Sequence, residues 1–202
     1  IEGRQTINLM GDYYPSSKEI AGNIDLAGTD LGYAAPFLNT VFSDIGGAVS
    51  GKIRFSGPVS ALEISSEGLV LDRAKLKVAL TGVEYTATGP VSLNSSGATF
   101  EKVNISDRYG AGGTVSGGIG WNHFKDMNFG THIDFNRMLV LDTGEADNST
   151  FYGNLHATGN MDITGPLNAL LLSATARTAK SGALHIPLGG SESAGVSNLL
   201  TF

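Results

Sequence analysis

The residue that most invites a chemical reading is Asp142, in Asp142-Thr143-Gly144 directly after the apolar run MLVL. Aspartic proteases, the retroviral type included, place such a triplet after a strand so that two carboxylates share one proton. This chain has a single copy, so only a homodimer would complete the pair. The apolar-apolar-Gly loop expected downstream is reduced to Pro187-Leu188-Gly189. Asp, Thr and Gly are also ordinary turn formers, and the turn reading needs no second chain. Asp142, Glu145, Asp147 and Asn148 cluster oxygen ligands of the kind Ca2+ takes, but not at EF-hand spacing, and a calcium site must wrap its ion from several directions. A solvated loop accounts for them. His123, His132, His156 and His185 are scattered and form no HxH or HExxH pair. Gly117, Gly118 and Gly120 precede no helical pattern, which argues against a phosphate cradle. Ser56, Ser65 and Ser173 lack a G-x-S-x-G elbow. No catalytic, metal-ligating or cofactor-binding residue is assigned, and the chain is read as non-enzymatic.

Composition narrows the field further. The 202 residues contain no cysteine, which excludes a disulfide framework, thiol nucleophiles and Cys-ligated metal sites. A net charge of −6 argues against a nucleic-acid partner, because neutralising phosphates takes surplus Lys and Arg. No apolar run exceeds four residues, far short of the roughly 20 needed for a membrane-spanning helix. Glycine supplies 28 residues, about double the usual share of roughly 7%. With abundant Ser, Thr and Asn and few prolines, that excess points to many short strands joined by tight turns.

The elements that would carry any site follow from alternation. Leu69 and Leu71, then Leu76, Val78 and Leu80, then Val83 and Tyr85 each keep one parity, with Lys75, Lys77, Thr81 and Glu84 between them. Period two marks a sheet with one apolar and one solvated face. Gly-containing breaks such as Gly46-Gly47, Gly57-Pro58, Gly89-Pro90 and Gly165-Pro166 predict about 15 strands of typical length. The spacing of Phe37, Val41 and Ile45, with Pro36 ahead of them, predicts one short helix within 34–45. Residues 51–65 (GKIRFSGPVSALEIS) match residues 159–173 (GNMDITGPLNALLLS) at six of fifteen positions, and a looser copy spans 117–130. The offsets are irregular, so the unit is a reused strand-turn-strand element rather than a fixed-period solenoid. The chain opens in QTINLM and closes in VSNLLTF, both strand-like and uncapped. Residues 1–202 are therefore expected to be one fragment of a longer β protein.

Three segments carry a resemblance: SDIGGAVSGKIRFSGPVSALEISSEGLVL (43–71), MLVLDTGEADNSTFYGNLHATGNMDITGP (138–166) and ALLLSATARTAKSGALHIPL (169–188). With Phe-Tyr-Gly-x-x-x-Ala-x-Gly at 151–159 as its best motif, the chain resembles the TamB translocation and assembly module family, most closely the Bacteroidetes-type versions. The resemblance implies an AsmA-like bridge protein of the Gram-negative envelope, held in the inner membrane by an N-terminal helix outside this internal or C-terminal fragment. It implies a periplasmic location and an outer-membrane partner, the BamA-type barrel TamA. The implied fold is all-β: an elongated curled sheet, or β-taco, whose open groove has an apolar interior. The implied roles are shuttling phospholipid to the outer membrane and assisting outer-membrane protein assembly.

A groove of this kind would be lined by the inward parity: Ile53, Phe55, Leu69, Leu71, Leu76, Val78, Leu80, Ile119, Trp121, Phe129, Ile133, Phe135, Met161, Ile163 and Leu172. None is charged. An acyl chain of about 16 carbons buried there would gain on the order of 10 kcal/mol, at roughly 0.8 kcal/mol per CH2. A plain sandwich core produces the same alternation. A surface β-solenoid adhesin or carbohydrate-binding module is the other reading, with Tyr13, Tyr14, Tyr109 and Trp121 as stacking aromatics.

Overall fold

The computed structural model describes residues 6–39, 41–122, 125–179 and 182–187. Apolar groups on every second residue cannot form one stripe on a helix, so the chain runs as successive strands. They are β1 (Thr6–Tyr14), β2 (Glu19–Asp30), β3 (Phe42–Pro58), β4 (Glu63–Val78), β5 (Glu84–Pro90) and β6 (Ser92–Asn94). The second half adds β7 (Gly97–Asp107), β8 (Gly112–Asn122), β9 (Lys125–Thr143), β10 (Tyr152–Pro166), β11 (Leu171–Thr178) and β12 (Ala183–His185). They form one 12-stranded sheet in the order β1-β2-β3-β4-β5-β7-β8-β9-β10-β11, with β6 joining β4 and β7, and β12 adding to β10. Every pairing among the described residues is antiparallel. The strands are fewer and longer than the glycine breaks predict. Gly130, for example, stays in the ladder opposite Gly118 and Thr164, so β9 continues for 19 residues.

A twisted sheet this wide must curl, split or flatten, and this one curls. Its register carries one inward row across six strands: Ala74, Ala87, Ile105, Gly113, Phe135 and Gly159. Small side chains on the concave side let the strands bend towards one another, and Phe135 fills the space they leave. Val49, Leu69, Ala87, Val103, Met138 and Ala157, from both walls of the curl, pack into the same buried cluster.

One end is drawn shut by polar groups. Beyond Phe135, β9 outruns β8, so its backbone has no ladder partner on that side. The Leu139 N–H instead donates to Asp107 Oδ2 (2.7 Å), and the Leu139 carbonyl accepts from the Tyr85 hydroxyl (2.9 Å). Asp107, only 5% exposed, also accepts from the Tyr109 and Ala111 amides at its other oxygen. Burial, and then the charge of Asp107, push the Tyr85 hydroxyl well above the ordinary phenol range, so it stays a donor. The β4–β5 turn completes the closure: Asp142 N donates to Thr81 O (2.8 Å), and a Cβ on Gly82 would collide with the Asp142 carbonyl. Strands separated by two others in the sheet are thereby tied face to face.

The helical segment is shorter than the 34–45 spacing predicts. A 3-10 turn (Leu31–Ala34), capped by Asp30 Oδ1 on Gly32 N, leads into α1 (Ala35–Leu38). Helix stops there because Val41 O accepts from Ala79 N and Phe42 pairs opposite Val78, so ladder bonds claim the following backbone. The repeats 51–65 and 159–173 are the β3–β4 and β10–β11 connections, and 117–130 spans the β8–β9 hairpin. Gly51 and Gly159 both hold positive φ (134° and 156°). A Cβ on Gly51 would lie 2.6 Å from Gly68 O, and one on Gly159 closer still to Thr175 O, which explains why the unit keeps glycine there.

Removing the Asp107 carboxylate orphans three amides, whereas Tyr85→Phe orphans one carbonyl. Asp107→Ala should therefore lower unfolding free energy by about 3 kcal/mol and Tyr85→Phe by about 1 kcal/mol in urea titrations. An Asp107→Ala protein as stable as the parent would contradict the closure described.

Candidate functional site

The concave face divides into a filled part and an open part. Near the closed end, Leu69 and Phe135 are buried in the packed cluster together with Met138 (2% exposed), and the neighbouring Leu139 (1%) is buried outside that cluster. Leu71 lies opposite Val49, and Leu76 opposite Ile45 and Tyr85; both are half-buried against that cluster. Val78 ends β4 opposite Phe42, and Leu80 sits in the following turn, exposed. Ile53 and Phe55 stand on β3, with the Phe55 ring lying over Gly11 and Gly22. Ile133 faces Val115 and Met161, while Ile163 faces Thr131 and, across to β11, the exposed Leu172.

The open part lies where α1 meets the far wall. Pro36, Leu38 and Val41 from one side, and Ile119, Trp121, Met127 and Phe129 from the β8–β9 hairpin, enclose a cavity of about 330 Å³. Leu167, from the 3-10 turn after β10, completes the apolar lining, and Lys125 and Asp126 stand at its polar side. Ile119 and Phe129 are cross-strand partners, so alternation aims both into this space. Three of the residues singled out by parity thus converge here: Ile119, Trp121 and Phe129. Met127 joins them from two residues before Phe129 on β9, and Leu38, Val41 and Leu167 come from segments that alternation does not describe. The cavity is at the small end of the roughly 300–1,000 Å³ typical of ligand sites. The two lips of the sheet also stay uncovered on the inward parity: Leu9 on β1, opposite Ile24, is 65% exposed, and Leu172 on β11 is 46% exposed.

The polar groups are spent on structure. Asp142 ion-pairs with Arg108 (2.7 Å) and accepts from Asn154 Nδ2 (2.8 Å), so a guanidinium stands where a protease dyad would need a second carboxyl. Asp147 caps Gly144 N, and Asn148 caps Thr150 N, within the loop after β9. Among the described residues no group of three or more His, Asp or Glu is arranged to hold a metal ion. His156 packs against Tyr109, and His185 stacks on Tyr152; His123 lies outside the described residues. Tyr13 and Tyr14, adjacent on β1, point to opposite faces, Tyr109 sits in the β7–β8 turn and Trp121 in the cavity, so the four aromatics share no platform.

Residues 101–199 match the family model for the TamB C-terminal domain. This region belongs to the TamB family. No curated protein and no solved structure gives a significant match. Membership carries a place in the cell envelope, and among the described residues no helix is long and apolar enough to cross a membrane. The matched region takes in the β8–β9 side of the cavity and the whole of β10 and β11.

On the outer face His132 bridges two strands, with Nδ1 2.6 Å from Asp162 and Nε2 3.4 Å from Asp134. The hydrogen bond to Asp162, then the nearby negative charges, raise its pKa above the ordinary value of 6.5. Its stabilising contribution is therefore fully present below pH about 6.5 and is lost as pH climbs through the folded-state value. An NMR titration should place the His132 midpoint above that of a free histidine, and Asp162→Asn should bring it down; an unmoved midpoint would refute the pairing.

Proposed function

We propose that this segment lends its apolar trough to the acyl chains of phospholipid moving towards the outer membrane. It does so as the periplasmic part of a protein anchored in the inner membrane and meeting a BamA- or TamA-type barrel through other regions. The observation that supports this most is the cavity between α1 and the β8–β9 hairpin, which Ile119, Trp121 and Met127 line while only half-buried, with the buried Phe129 beside them. Apolar lining left unfilled is costly in water unless a guest displaces the solvent. A chain moving along such a surface exchanges one apolar neighbour for another, so its energy profile is shallow. Family membership supports the envelope setting, and the committed carboxylate of Asp142 supports a role without catalysis.

A second reading has its own observation. Strand β1 bonds only to β2 among the described residues, is exposed along all nine residues, and carries a single charge, Asp12. It lacks the lysines, prolines and bulges that usually blunt an edge. A partly folded outer-membrane strand could extend the sheet there by strand addition, which would serve protein assembly.

Protein purified from a Gram-negative host should carry phospholipid detectable by mass spectrometry. Ile119→Asp should cut uptake of a fluorescent fatty acid about tenfold or more, since a carboxylate in the cavity must be desolvated, while circular dichroism stays strand-like. A folded Ile119→Asp protein that loads normally would overturn the trough reading.

A further inference from the structure

The rim of the cavity carries an irregularity that a purely apolar conduit does not use. Lys125, Asp126 and Met127 are consecutive, yet all three line the cavity, although successive strand residues point to opposite faces. The cause is a β-bulge: the β8–β9 register slips between Gly120 and Asn122, and Asp126 takes φ 50°. A side-chain-bearing residue adopts that left-handed conformation only at a cost, and bulges are a standard means of re-aiming a side chain. The effect is to bring one ammonium and one carboxylate to the mouth of a mainly apolar space, whose lining also includes the uncharged Asn39. Neither Lys125 nor Asp126 forms an ion pair among the described residues.

We infer that this cavity is a headgroup-selective subsite for a zwitterionic phospholipid, with Lys125 meeting the phosphate, Asp126 meeting a phosphoethanolamine ammonium, and the first acyl segment lying against Ile119 and Trp121. The inference rests on the trough reading and adds the lipid class to it. Charge complementarity selects the occupant. The rim is neutral as a pair, so a zwitterion satisfies both groups. A phosphoglycerol headgroup or a free fatty acid offers an anion alone and leaves the Asp126 carboxylate beside it unpaired. Because the rim is exposed, each ion pair contributes modestly, and selectivity rather than raw affinity is the expected signature.

The test is a native mass spectrometry competition on the intact chain, with phosphatidylethanolamine and phosphatidylglycerol of identical acyl composition presented in mixed micelles. The parent protein should favour phosphatidylethanolamine about threefold to fivefold, the range an exposed ion pair supplies. Asp126→Gly, which removes the carboxylate while fitting the positive φ, should abolish the preference without weakening phosphatidylglycerol binding. Asp126→Lys should reverse it, and Lys125→Glu should lower occupancy by both lipids. Lipid bound with no headgroup preference, or a preference that survives Asp126→Gly, overturns the subsite and leaves the trough standing. Failure to bind either lipid overturns both.

Discussion

The backbone of one residue, Leu139, anchors the curl. Leu139 lies on the part of β9 that outruns its neighbour, and its N–H and carbonyl are satisfied by Asp107 and Tyr85, from strands two and three places away in the sheet. A buried peptide without partners would cost what two lost hydrogen bonds cost, so β9 can be buried there only if the sheet bends far enough to bring β7 and β5 to it. Curvature is thus enforced by hydrogen-bond accounting at one end, and the Arg108–Asp142 pair reinforces it at the surface. The remaining inward residues follow that geometry. Where the walls are drawn together they interlock into a core, and a space remains between α1 and the β8–β9 hairpin.

A uniformly open ribbon would expose too much apolar surface to persist in water, and a uniformly closed one would be an ordinary sandwich. This segment is sealed at the Leu139 end and open beneath α1 and along both lips. The matched TamB region includes the β8–β9 wall of the opening and also Asp107 and Leu139 of the sealed end, while the α1 side lies outside it.

The all-β character is legible because alternation is local; in the ladders Ile119 falls opposite Phe129, Ile133 opposite Met161 and Ile163 opposite Leu172. The run MLVL at 138–141 carries a signal that parity passes over, since consecutive apolar residues fit a strand covered on both faces. Asp107 left a fainter trace, sitting in phase with Val103 and Ile105, where a carboxylate on the apolar parity must find donors. What local pattern could not supply was distance across the sheet. Nothing in the spacing of Tyr85, Asp107 and Leu139 says that they meet, because that contact is created by the curl. The helical spacing overextends for a related reason: Val41 and Ile45 satisfy it in isolation, but Ala79 and Leu76, far downstream, offer that stretch strand pairing instead. The α1 side of the cavity was hidden likewise, since a four-residue helix has too little pattern to reveal what it covers.

The chain contains one tryptophan, Trp121, and it lines the opening, so its fluorescence reports on this space alone. Titration with phospholipid brominated along the acyl chain, against the same lipid unbrominated, tests occupancy directly. The account predicts that only the brominated lipid quenches Trp121, saturably and in step with bound lipid. Emission indifferent to bromine while lipid is demonstrably bound would show that the guest lies elsewhere and that the opening is not its path.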